Sequence, residues 1–220
     1  SNNDEPPFEN TILAYYNAGQ MLAQTELIFG MLCAAETNER MQALQEQVMP
    51  LLSAHRDKIR LDEKLFARVK DVYDRRASLG LDAEQSRLLR KTYDAFVRSG
   101  ALLDAGQKAR LKEINGELSL TAVKFGNNIL AENNNFALEL TADDLEGLPS
   151  GVRDAAREKA QAMGKGDKWV FTLHKPSLIP FLTYSAKRDL REKIYKAYLN
   201  RCNTGDQYDN KQLINDFIRL

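Results

Sequence analysis

A chain of 220 residues, 43% hydrophobic and 28% charged, is long enough for one large domain or two small ones with a real core. Twelve glycines and six prolines are too few for a turn-rich all-β fold. Thirty-one basic residues balance thirty-one acidic ones, so no net field draws the chain to nucleic acid or anionic lipid. No apolar run approaches the roughly 20 residues of a membrane span.

The opening "SNNDEPP" has no charged-then-apolar signal pattern, and its Ser-Asn is compatible with a tag scar. The expected compartment is the cytoplasm, or the periplasm if a signal peptide has been removed. From Asn10 a helical seam runs Ile12, Tyr15, Gly19, Leu22, Thr25, Phe29, Leu32 at spacings of three and four. Thr37 is the expected N-cap of the next helix, whose seam is Met41, Leu44, Val48, Leu51, His55, Ile59. Pro50 interrupts it and removes one backbone hydrogen bond, so a kink is expected. Asp62 and Gly80 bracket a third helix, and Asp82 and Gly100 a fourth. The fifth, capped by Asp104, carries Leu111, Ile114, Leu118, Thr121, Phe125 and Asn128, and should fray at "ENNN".

The pattern then changes. "FALELT" (136–141) and "KWVFTL" (168–173) alternate like strands, with a helical turn and a helix between them. Helices resume after Pro176, and the last, "DNKQLINDFIRL", carries no stop signal, as expected of a cut inside a longer protein. The reading is a mainly α fold of eight or nine helices with a small two-stranded β element. Its expected divisions are a helical bundle over 1–133, the β element with its inserted helix over 134–175, and helices over 176–220.

Chemistry is scarce. The two histidines, His55 and His174, are far apart and neither precedes a Glu, so no H-E-x-x-H occurs. His55 lies on an apolar seam and is expected in the core; His174 follows a strand and is expected to be partly exposed. Cys33 and Cys202 form no C-x-x-C and are expected to be buried free thiols. Ser177 sits at a helix entrance and suits a capping role. "GKGDK" (164–168) lacks the spacing of a phosphate loop and reads as a connection into the strand. Asp143 and Asp144 suit the first turn of a helix, where negative charge meets the dipole. No catalytic, cofactor-binding or metal-ligating residue is assigned.

One stretch is distinctive. "WVFTLHKPSLIPFLTYSAKRDLREKIYKAYLNR" resembles the thimet oligopeptidase-like family of zinc metallopeptidases. The resemblance rests on Thr172, Leu173, Pro176, Ser177, Pro180, Leu182, Tyr184, Arg188, Arg191, Glu192, Tyr195, Ala197 and Tyr198. "PPFENTI", "VMPLLSAHRDKIRLDEKLFARV" and "EINGELSLTAVKFGNNIL" extend it over essentially the whole chain. It implies the multi-helix N-terminal region of a zincin-type oligopeptidase, forming one wall of a channel that admits short peptides. It further implies that the zinc helix and its downstream Glu lie beyond Leu220 in a C-terminal catalytic half, so the zinc ligands are not in this chain. The fragment alone is then expected to be inactive. Within the family the wording sits nearer the peptidyl-dipeptidases, which release C-terminal dipeptides, than the endopeptidases. The alternative is a free-standing helical domain that binds a partner without catalysis. Neither reading involves nucleic acid.

Overall fold

A computed structural model describes residues 6–35 and 37–220. The opening Ser-Asn lies outside the described residues. The fold is mainly α with one small antiparallel sheet, as the periodicity predicts. It divides into two compact units, Ser1–Val123 and Lys124–Leu220.

The first unit starts with a single π-helical turn, Glu9–Leu13, that runs into the short helix α1 (Ala14–Asn17). The expected continuous seam breaks here. Ala18 is extended and Gly19 takes φ +77, a left-handed conformation that only glycine adopts without penalty. A separate helix α2 (Gln20–Ala35) follows, then α3 (Glu39–Arg60). The cap of α3 is Asn38 rather than Thr37: its extended backbone lets the side chain accept from Met41 N at 3.0 Å. Asn and Thr cap comparably, so one-residue register is set by local geometry. Pro50 sits inside an unbroken α3. Helices α4 (Glu63–Asp74), α5 (Ala83–Arg98) and α6 (Ala105–Asn135) begin at the predicted Asp caps. Asp82 with Gln85 and Asp104 with Gln107 are reciprocal capping boxes. Asp82→Ala is expected to cost about 1 kcal/mol, read as a lower urea midpoint. α6 runs helically through the "ENNN" that was expected to fray.

The core of the first unit joins Phe8 and Ile12 to Phe66, Val69 and Val72 of α4 and to Leu89 and Phe96 of α5. Phe96 is fully buried, with its ring 5.4 Å from Tyr15 and 6.0 Å from Phe66. Tyr73 and Tyr93 stack at 3.9 Å between α4 and α5.

In the second unit β1 (Leu138–Leu140) pairs antiparallel with β2 (Trp169–Phe171), Leu138 opposite Phe171. Helix α7 (Ser150–Ala162) connects them and packs on β2. The helices α8 (Lys175–Tyr184), α9 (Arg188–Leu199) and α10 (Lys211–Arg219) follow. Leu138, Leu140, Phe171, Leu178, Phe181 and Ile194 form the core, Phe171 and Phe181 lying 4.5 Å apart. The 164–168 connection is a turn with left-handed Gly164 and Gly166, placing Lys165 2.8 Å from Glu139, which also pairs with Lys168.

These lysines, Lys165 first, hold the Glu139 carboxyl down at about 2, against an ordinary 4.5. A carboxylate whose pKa falls on folding adds stability above its unfolded value, lost as the pH drops toward the folded one. The stability difference between the wild type and Glu139→Gln is therefore expected to be present at neutral pH and to disappear between about pH 4.5 and pH 2. Urea titrations across that range measure it.

Candidate functional site

The segment 175–201 forms a corner. Pro176 occupies the first turn of α8, where its missing N–H costs nothing. The Ser177 hydroxyl accepts from Thr172 N at 3.0 Å, so it ties the strand end to the helix instead of capping its own helix. His174 holds the N-cap position and is exposed. Between the helices, Ser185 is buried, its carbonyl accepts from Arg191, and its hydroxyl accepts from Lys187 N at 3.3 Å. Ala186 N donates to Glu146 O at 2.9 Å, fixing the corner to the turn before α7.

Of the tyrosines in this segment, Tyr184 and Tyr195 are half exposed, and Tyr198 packs on the core under the Arg201 guanidinium, 3.8 Å from its ring. Leu190, Ile194, Ala197 and Tyr198 form the inward face of α9, as the spacing predicts. Glu192 pairs with Lys196 at 2.5 Å.

A cleft of about 390 Å³ opens between α7, β2 and the start of α8, lined by Val152, Lys159, Phe171, Thr172, His174 and Ser177 among others. It brings His174 and Ser177 to one place. Ser177 Oγ accepts from the Thr172 backbone, the structural role that its place between strand and helix supports. Asp143 and Asp144 lie in a 3-10 turn, Ala142–Asp144. Asp144 closes a capping box with Thr141, whose N–H and hydroxyl lower its pKa. Asp144 thus serves the chain's own backbone.

His55 departs from expectation. It is exposed and lines a groove of about 570 Å³ in the first unit with Tyr15, Leu22, Glu26, Arg60 and Arg98. Its seam is only partly covered, Leu44 and Leu51 being exposed too. The buried position on α3 is Asp57, which accepts from Asn115 Nδ2 at 2.7 Å. Both cysteines are free, yet only Cys202 is fully buried; Cys33 is partly buried on α2. Burial, then the Glu132 carboxylate, pushes the Cys202 thiol up to about 12.

A zinc site needs three or four converging His, Cys or carboxylate ligands. Among the described residues no three such groups converge. The residues present do not fit a zinc ion, and no catalytic step is assigned to them. No helix among the described residues is long and apolar enough to cross a membrane.

No family model matches the chain. It is 34% identical to the "Dipeptidyl carboxypeptidase" of Escherichia coli over 98% of its own length and 32% of that protein's. To the "Oligopeptidase A" of E. coli it is 26% identical over 93% of its length, and to the "Probable cytosolic oligopeptidase A" of Arabidopsis thaliana 26% over 91%. The chain is thus homologous, along nearly all its length, to the thimet oligopeptidase-like peptidases. Among them it is similar to dipeptidyl carboxypeptidases and oligopeptidases A, and it spans about a third of the length of these relatives.

Proposed function

We propose that these residues form a helical, non-catalytic part of a zinc metallopeptidase that cleaves short peptides by removing C-terminal dipeptides. The helices form one wall of the substrate channel, and zinc is held by polypeptide outside them. The supporting observation is end-to-end similarity at 34% to a dipeptidyl carboxypeptidase, against 26% to an oligopeptidase A. The described residues fit a supporting role: Asn38, Asp62, Asp82, Asp104, Ser177 and Glu139 serve in caps, a turn anchor and ion pairs.

The test is peptide hydrolysis by the whole gene product that carries these residues. An N-acylated tetrapeptide with a free C-terminal carboxylate is expected to lose a dipeptide, and its C-terminal amide to resist. A metal chelator should abolish the activity and zinc restore it. Equal cleavage of acid and amide would overturn the dipeptidase assignment in favour of an endopeptidase. Absence of peptide cleavage would overturn the peptidase reading.

A further inference from the structure

Helix α2 carries apolar side chains on all sides, with Gln20, Gln24, Thr25 and Glu26 confined to its first two turns, and it buries none of its residues. Met21, Leu27, Ile28 and Met31 are 82, 65, 59 and 62% exposed, and Leu22 and Leu32 are exposed beside them. Single exposed apolar side chains are ordinary, but six on one helix mark a surface that something covers. The only charge on α2, Glu26, is paired with Arg56 of α3. The groove alongside is also unfinished. Arg60 lies 5.3 Å from the Phe96 ring centroid and 5.7 Å from that of Tyr15. Its Nη1 is the one buried side-chain polar atom without a hydrogen-bond partner among the described residues. A buried donor in that condition calls for an acceptor.

We propose that α2 is a docking element for polypeptide of the same protein outside these residues, an apolar segment that also brings an oxygen acceptor to Arg60. This rests on the proposed function, because the relatives are about three times as long as the chain. Other occupants fit less well. A helix that lies on an anionic membrane carries Lys or Arg on its polar face, and α2 has neither. A second copy stacking α2 on α2 offers only Glu26 as a side-chain carboxylate, and Arg56 already holds it.

The native methionines test this without substitution. In the whole gene product, peroxide oxidation of Met21 and Met31 is followed by mass spectrometry in buffer, in urea, and with a short apolar peptide added. The expected result is oxidation at least about tenfold slower in buffer than in urea, whether or not peptide is present. Rates in buffer close to those in urea overturn the proposal. So does protection that appears only with peptide, which makes α2 part of the peptide path, or that vanishes on dilution, which assigns it to a second copy. Hydrolysis measured on the same sample separates the two readings. An active enzyme with fast-oxidising methionines loses the docking alone, and an inactive protein with protected methionines loses the peptidase reading alone.

Discussion

Phe96→Ala is expected to remove about 3–5 kcal/mol from the stability of the first unit. The ring is fully buried and packs against Tyr15 and Phe66, so truncation leaves a cavity that two rigid helices and a third aromatic cannot collapse to fill. A second loss adds to the first. The Arg60 guanidinium sits over the same ring, 5.3 Å from its centroid, and the substitution removes an aromatic face from a partly buried cation. Leu102→Ala is the control, since Leu102 is 62% exposed, and should stay within about 0.5 kcal/mol. Far-ultraviolet circular dichroism follows unfolding in urea, and the single tryptophan, Trp169, lies in the second unit, so its fluorescence shows whether that unit is left unchanged. If Phe96→Ala matched Leu102→Ala, the aromatic cluster would not be the support of the first unit.

Much of the fold is legible in the sequence because its signals are local. Asp62, Asp82 and Asp104 cap where an Asp precedes an apolar-periodic run. Gly80 and Gly100 take the positive φ that ends such runs. The two strands pair where they were expected, although only β1 alternates in burial while β2 buries both Val170 and Phe171, and the inward face of α9 follows its spacing. What failed is what periodicity cannot carry. A seam shows that a helix has an apolar face, not that a partner covers it, and so His55, Leu44 and Leu51 lie exposed where a core was expected. Cys33, expected to be buried because free cysteines usually are, is only partly buried on α2. Gly19 occupies a seam position by spacing, yet its left-handed backbone ends the helix it was counted in. The candidate site was legible only through resemblance: the acceptors at the corner, Ser185 O toward the Arg191 guanidinium and Glu146 O toward Ala186 N, are backbone groups, which leave no pattern of side-chain types to read. Arg60 gave no sequence signal at all, because its missing partner is a property of three-dimensional packing.

The corner itself is tested by Gly147→Ala, expected to cost roughly 2–4 kcal/mol in the second unit. Gly147 takes φ +83, and a Cβ there would sit 2.3 Å from Tyr184 O and 3.0 Å from Ala186 N. Both are backbone atoms of the α8–α9 corner and cannot rotate aside as a side chain would. Relief therefore means pulling the turn before α7 away from the corner, at the expense of the Ala186–Glu146 hydrogen bond. Gly166→Ala separates the two contributions: Gly166 has φ +62 but open space where its Cβ would be, so it pays only the conformational penalty of about 1–2 kcal/mol. Trp169 fluorescence in urea reads both variants. A larger loss for Gly147→Ala means that close backbone approach holds the 175–201 segment in place. Equal losses would mean that the corner yields at little cost, and a segment that yields so readily could not fix the wall of a channel by its own packing.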